Sequence, residues 1–232
     1  GTPSGAETLT VVPSSSTAIY DASGNAASTT QSNNTVSLND QAVPIVSGTT
    51  IASNNSTIAV TFNEAIYNTS GGSGVLEASD FALSISGGDG IEVGATPSSI
   101  LISGNVYTLG LTLTGTPSGA ETLTVVPSSI TAIYDASGNA ASTSQSYNTV
   151  SLNDQAAPIV TNVTSTKVNG TYSTGEVIAI TVTFNEVVNV MGIPQITLET
   201  GSSDAVVNYS IGTGSNTLTF NYTVAAGHTS SD

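Results

Sequence analysis

Apolar and polar residues alternate along most of this chain, which is the pattern of half-buried β-strands. The alternating stretches are short, and clusters of Gly, Ser, Asn and Asp separate them. No stretch shows the 3.6-residue period of a helix. The pattern predicts about seven strands per domain, packed as an antiparallel β-sandwich, with a barrel as the alternative. The clearest inward-facing positions are Ile58, Val60, Phe62, Phe81, Leu83, Ile85, Tyr107, Leu109, Leu111, Leu113, Leu123, Val125, Val150 and Leu152.

A long stretch of the sequence occurs twice. Residues 1–46 return at 115–160, at an offset of 114 residues. This spacing suits tandem β-sandwich domains of roughly 100 residues better than a short solenoid repeat. The two copies differ at four positions, where Ser16, Thr30, Asn33 and Val43 are replaced by Ile130, Ser144, Tyr147 and Ala157.

A second repeated motif also indicates tandem domains. TIAVTFNEAI at 57–66 returns as AITVTFNEVV at 179–188. We therefore expect an all-β chain of tandem Ig-like, antiparallel β-sandwiches with Greek-key topology. With strands lettered A to G, strand A follows Pro44 and the others are 56–65 (B), 81–86 (C), 106–114 (E), 121–134 (F) and 142–152 (G).

The repeats divide the chain into three parts. Residues 1–40 are the F and G strands of a preceding repeat, 41–154 are a complete repeat, and 155–232 are strands A to E of a following domain. Two explanations are open for the first part. It completes the final domain of a neighbouring chain, or the sequence is a stretch of a longer polypeptide, and we expect the second. Any signal peptide or anchor is then expected outside this stretch.

Charge narrows the possible partners. The chain has 16 acidic residues, a single Lys, no Arg and a formal net charge of −15. A basic patch is needed to neutralise phosphates, so nucleic-acid binding and attraction to an anionic bilayer are not expected. Cys is absent, and no apolar run reaches the length of a membrane span. The expected partners are cations, divalent ones above all.

Several acidic side chains are predicted to meet at one pole of the complete repeat. Glu64 shares the parity of the inward positions on strand B, and a buried carboxylate needs a cation or a partner. The F–G loop DASGN (135–139) and the entering linker end at the same pole. Hard oxygen ligands from several loops favour Ca²⁺ over Mg²⁺, and the absence of Cys argues against Zn²⁺. The predicted ligands are Asn39, Asp40, Glu64, Asp80, Asp135 and Asn139, with Asp21, Asn153, Asp154 and Glu186 at the equivalent positions of the flanking repeats.

Each of these features also has a plain structural explanation. DASGN is ordinary turn chemistry, in which Asp and Asn bond their own backbone. The Asn-Asp pair before each Pro could be a polar linker, and Glu64 could be protonated or solvated at a strand end. The convergence of three separate segments is what favours the metal.

Two resemblances follow from these residues. SLNDQAAPIV (151–160) resembles the calcium-binding linker of cadherins, although Gln155 stands where that motif usually has Asn. VTFNEAI, ASDFAL and IYDASGNA resemble the tandem Ig-like repeats of giant bacterial surface adhesins, and ITVTFNEVVNVMGIPQITLETG resembles another repeat type of such arrays. The resemblance implies an extracellular stalk in which Asn39, Asp40, Asn153 and Asp154 are linker ligands of calcium and Glu64 and Glu186 are their partners.

We therefore expect an extracellular structural spacer, stiffened by calcium at the junctions with neighbouring repeats. Two alternatives are a subunit of a filament or S-layer joined by strand complementation, and an adhesin domain that binds glycans or ice directly. Enzymatic activity is not expected, because His228 is the only imidazole, no Gly-x-Ser-x-Gly elbow occurs, and Trp is absent from any carbohydrate cleft.

Overall fold

The computed structural model describes residues 1–88 and 90–230. The chain forms two compact units, Gly1–Ala156 and Ala157–Asp232, and each is described by itself. All the regular structure of the described residues is β-strand apart from one turn of 3-10 helix at Ala78–Asp80. Every strand pair is antiparallel. The prediction of an all-β, antiparallel sandwich is confirmed.

The strands of the first unit are β1 (Thr8–Thr10), β2 (Thr35–Ser37), β3 (Val46–Ile51), β4 (Thr57–Phe62), β5 (Phe81–Ser86), β6 (Glu92–Val93), β7 (Ile100–Ser103), β8 (Val106–Gly110), β9 (Leu113–Thr114), β10 (Thr122–Pro127) and β11 (Thr149–Ser151). Those of the second unit are β12 (Val160–Ser165), β13 (Val177–Val188), β14 (Gln195–Leu198), β15 (Ala205–Ile211) and β16 (Ser215–Thr223).

Two sheets of the first unit share one core. Their strand orders are β3-β4-β8-β7 and β11-β10-β5. The predicted inward positions of β4, β5, β8 and β10 are buried except Ile85, which is half-buried, and Ile58, Leu109 and Leu123 are fully enclosed. The period-two pattern therefore identified the core correctly, because successive side chains of a strand point to opposite faces.

The edges of the strands differ from the prediction. The observed β4, β10 and β11 are shorter than the predicted strands B, F and G. The structure also contains β6 and β7, which the sequence pattern did not indicate. β6 has only two residues, too few to show a period of two. In β7 the first residue is half-buried and the other three are exposed, so no side of the strand faces the core consistently.

The chain enters and leaves the two-sheet core of the first unit at opposite ends of the β3–β4 hairpin. Ile45 lies just before β3, and Asn63 lies just after β4. The backbone N–H of Ile45 donates to the side-chain oxygen of Asn63, and the backbone N–H of Asn63 donates to the carbonyl of Ile45. Asn153, just after β11, is bonded instead to the β3–β4 turn through Asn55 and Ala52. Entry and exit are therefore separated by the length of β3.

The second unit is a single five-stranded sheet in the order β12-β13-β16-β15-β14. One face of this sheet is apolar: Val182 opposes Leu218, and Ile180 opposes Phe220. The other face is polar, with threonines opposite threonines on β13 and β16. The apolar face is buried: Val182, Leu218 and Phe220 are 7%, 5% and 3% exposed, and Ile196 and Leu198 of β14 pack against them.

Residues 1–40 form the hairpin-like pair β1–β2, whose side chains are exposed. The division into repeats that end at 40 and 154 stays a prediction. Among the described residues, no helix has the length and apolar character needed to cross a lipid bilayer.

Candidate metal centre

The DASGN loop folds by its own hydrogen bonds. Oδ1 of Asp135 accepts the backbone N–H of Ser137 and of Asn139, both at 2.8 Å. Oδ2 accepts the side-chain amide of Asn139 at 2.7 Å. The earlier copy makes the same three bonds around Asp21, although there the loop is exposed. The loop geometry is therefore local, as the turn interpretation expected.

The linker delivers a second carboxylate to this loop. Asp40 lies two residues before Ala42, whose backbone N–H it accepts at 2.9 Å. The side-chain amide of Asn139 donates to the backbone carbonyl of Asp40 at 3.3 Å. This bond joins the entering linker to the F–G loop without any metal.

The third carboxylate follows β4. Glu64 lies in a bend two residues beyond Phe62, where it is half-buried. The neighbouring Asn63 holds the strand end in place through Ile45, and its amide donates to Glu64 Oε1 at 3.2 Å. Glu64 thus lies just beyond the end of the strand, with its carboxylate close to those of Asp40 and Asp135.

One carboxylate oxygen from each of Asp40, Glu64 and Asp135 lies within 4.8 Å of the others. The Asp135 residue is completely buried. No Arg exists in the chain, and the only Lys, Lys167, lies in the other unit, 3.6 Å from Glu176. Burial, and next the negative charge of Asp135, raise the pKa of Glu64, and Asp40 adds to this effect. The cluster is short of positive charge.

A calcium ion fits this arrangement. Calcium binds oxygen ligands at 2.3–2.6 Å, so two ligands of one ion can lie up to about 5 Å apart. Three carboxylates, each able to bind through one or two oxygens, provide much of the six to eight oxygens that calcium takes. The three carboxylates come from the linker and two separate loops, an arrangement that suits flexible coordination better than the strict octahedron of magnesium.

Burial alone does not make a metal site in this fold, as Glu121 shows. This carboxylate is 1% exposed and accepts the backbone N–H and the hydroxyl of Ser118. Burial acts to raise its pKa, but the hydrogen bonds from Ser118 and from the backbone of Glu121 and Gly119 together outweigh it, and the pKa is lowered. Glu121 is thus satisfied by the protein, whereas Glu64 faces other carboxylates.

Other predicted ligands lie outside this cluster of three. The carboxylate of Asp80 accepts the backbone N–H of Glu77 at 2.7 Å and caps the 3-10 helix. Asn39 is exposed, next to Asp40 in the linker. Asn139 contacts Asp135 through its amide N–H, which positions the loop. For these three residues, metal coordination stays a prediction.

The equivalent residues at the next junction are placed as follows. The amide of Asn153 donates to Ala52 and Asn55. Asp154 is exposed and accepts the N–H of Ala156, repeating the turn at Asp40. Glu186 is a half-buried residue of β13 in the second unit. Their role as ligands is likewise a prediction.

Sequence reasoning missed Asn63, which positions both the linker and Glu64. A signal was present, because the Asn-Glu pair occurs in both VTFNE motifs. The second copy repeats the contact: Asn185 exchanges the same two hydrogen bonds with Ile159.

Comparison of the chain with protein-family models, with curated proteins and with solved structures finds no match in any of the three.

Proposed function

We propose that this chain is an extracellular structural spacer of a large repetitive bacterial surface adhesin, stiffened by calcium where a linker enters a repeat. The observation that carries the proposal is the meeting of Asp40, Glu64 and Asp135. The first belongs to the linker, whereas the other two belong to separate loops of the folded repeat. An ion bound to all three ties the linker to the domain.

The architecture supports the same function. When the short two-stranded sheet β6-β9 is set aside and the other strands are lettered in chain order from β3, the two larger sheets read A-B-E-D and G-F-C, the order described for Ig constant-type domains. Entry at Ile45 and exit at Asn153 lie at opposite ends of the β3–β4 hairpin, as in a domain joined in tandem through its two ends. Near-identity of the two copies favours a repeated spacer over a single binding tip.

Electrostatics explains how calcium would change the junction. Without a cation, three carboxylates close together repel one another, and the linker carries one of them. The ion removes this repulsion and adds bonds that only the folded repeat presents. The folded state then gains stability by mass action, about 2.7 kcal/mol at a calcium concentration 100 times Kd.

The test measures calcium binding by titration calorimetry and thermal unfolding of the full chain. Calcium should raise the Tm of the first unit by roughly 5–10 °C at 100 times Kd. Asp135→Asn should abolish this shift. Asp21→Asn is the matched control, because it makes the same change in the same loop where the loop is exposed.

Sodium chloride at equal ionic strength is the second control, since a net charge of −15 makes any salt stabilising. The proposal is wrong if millimolar calcium raises the Tm no more than sodium does. It is equally wrong if Asp135→Asn responds to calcium as the unmodified chain does.

A further inference from the structure

The loop that follows Glu64, residues 67–75, lies against the DASGN loop of the candidate metal centre. The backbone N–H of Tyr67 donates to the carbonyl of Tyr134 at 2.7 Å, and the N–H of Tyr134 donates to the carbonyl of Tyr67 at 2.8 Å. Tyr134 directly precedes Asp135. The two loops are therefore joined at the residue next to the buried carboxylate.

Beyond this pair, the two backbones come so close that glycine is needed at the contacts. A Cβ atom on Gly72 would lie 3.0 Å from both the Cα atom and the carbonyl oxygen of Ala136. A Cβ atom on Gly138 would lie 3.1 Å from the hydroxyl oxygen of Ser70. Non-bonded carbon atoms prefer separations of about 3.5–4.0 Å, so a side chain at Gly72 would push the loops apart.

Residues 67–75 have a fixed shape of their own, although they are rich in Gly and Ser. The side-chain amide of Asn68 donates to the backbone carbonyl of Val75 at 2.7 Å. The hydroxyl of Thr69 bonds both the carbonyl and the hydroxyl of Ser73. The two flanking residues are buried in the core: Ile66 and Leu76. The loop therefore presents a preformed surface to the DASGN loop.

The other copy of DASGN shows what this contact adds. The loop around Asp21 makes the same three hydrogen bonds as the loop around Asp135, yet Asp21 is exposed and Asp135 is 0% exposed. A Cβ atom on Gly24, the counterpart of Gly138, would meet no atom of the described residues within 4 Å. The contact with residues 67–75 is therefore not needed to shape the turn, and it acts on the placement and burial of Asp135.

We propose that residues 67–75 form a wall loop of the metal site, which holds Asp135 in place toward Asp40 and Glu64 and keeps water from the bound ion. This inference rests on the proposed function, because it assigns a role toward the same calcium ion. A carboxylate shielded from water attracts a cation more strongly, since the effective dielectric constant around it is lower. Glycine in this loop then serves close packing rather than flexibility.

The experiment compares two adjacent glycines of the wall loop in the full chain. Gly71 and Gly72 both have positive φ, +120° and +72°, so Ala strains the backbone at either position. Only at Gly72 does the added Cβ atom press against Ala136, whereas at Gly71 it would meet nothing within 4 Å in the part of the chain that the structure describes. Gly71→Ala is therefore the matched control.

Titration calorimetry of Gly72→Ala should show a calcium affinity about 10–100-fold weaker than that of the unmodified chain, the usual effect of losing an outer support of a metal ligand. Gly71→Ala should bind calcium as the unmodified chain does. Asn68→Ala deletes the bond to Val75 and loosens the wall loop without placing an atom against Ala136. It should also weaken calcium binding, and it replaces Gly72→Ala if that variant does not fold.

Terbium luminescence gives a readout that a loss of stability alone would not change. Tb³⁺ takes oxygen ligands as Ca²⁺ does, and its emission lifetimes in H₂O and D₂O report how much water the bound ion carries. Terbium bound to Gly72→Ala should carry more water than terbium bound to the unmodified chain. Terbium bound to Gly71→Ala should not.

The outcomes separate the two proposals. An unmodified chain that responds to calcium no more than to sodium overturns the proposed function, and the wall loop with it. Calcium binding by the unmodified chain, with equal affinities of Gly72→Ala and Gly71→Ala, overturns the wall loop and leaves the proposed function standing. Unchanged hydration of terbium in Gly72→Ala has the same meaning.

Discussion

At the scale of single residues, Glu64 stands out because its surroundings raise the pKa of its carboxyl group. Burial and the charges of Asp135 and Asp40 disfavour its ionised form and raise its pKa above 4.5. Period-two parity predicted that this side chain turns inward. Parity could not predict that Asp80 would cap a 3-10 helix, because that helix gives no periodic signal in one turn.

The raised pKa gives a pH prediction. Protonated Glu64 is favoured in the folded state, so with chelator its contribution to stability is present below pH 4.5 and is lost as pH rises through the raised pKa. Calcium requires the ionised form and competes with the proton. We therefore expect calcium affinity to fall already at pH values above 4.5, where an ordinary Glu stays ionised.

Titration calorimetry between pH 7.5 and 4.5 checks this expectation. Glu64→Gln should bind calcium more weakly at pH 7.5 and lose most of this pH dependence, while the stability in chelator should become less dependent on pH. An affinity that stays constant down to pH 4.5 would show that Glu64 is not a ligand.

At the scale of elements, local sequence and tertiary context contribute separately. The DASGN loop has the same hydrogen bonds at Asp21 and at Asp135, so five residues are sufficient to form it. Burial of the loop depends on the sheets around it, which the first copy lacks in the described structure. This is why the turn was predictable from sequence, whereas the choice of which copy forms a buried site was not.

The end of β11 shows the same separation. Asn153 donates its amide to Ala52 at 2.9 Å and to Asn55 at 3.1 Å, and its backbone N–H donates to Asn55. These bonds fasten the exit of the repeat to the β3–β4 turn. Asn39 has the same sequence neighbours but is exposed. Sequence alone treats the two residues as equivalent.

We expect Asn153→Ala to lower the free energy of unfolding of the first unit by about 1–2 kcal/mol, because a buried hydrogen bond contributes roughly 1 kcal/mol and Ala52 and Asn55 both lose a donor. Urea unfolding measures the change. Asn39→Ala is the control and should leave stability within about 0.5 kcal/mol. Equal effects of the two substitutions would mean that the contact with the turn contributes nothing.

At the scale of the whole molecule, the two units differ in how well their cores are enclosed. The first unit places two sheets around one core, in which Ile58, Leu109 and Leu123 have no exposure. The second has one sheet, and few of its apolar side chains are fully buried. Repeats and alternation predicted most of the longer strands, but the pairing of strands far apart in sequence, such as β13 with β16, is encoded by no local pattern.

The difference predicts two unfolding transitions rather than one. Hydrophobic stabilisation scales with the apolar area removed from water, so the second unit should unfold at the lower temperature. Calcium should raise only the later transition, because Asp40, Glu64 and Asp135 all belong to the first unit. Differential scanning calorimetry resolves the two events, and hydrogen exchange assigns each to its residues. A single transition that shifts as a whole with calcium would show instead that the two units unfold as one cooperative block.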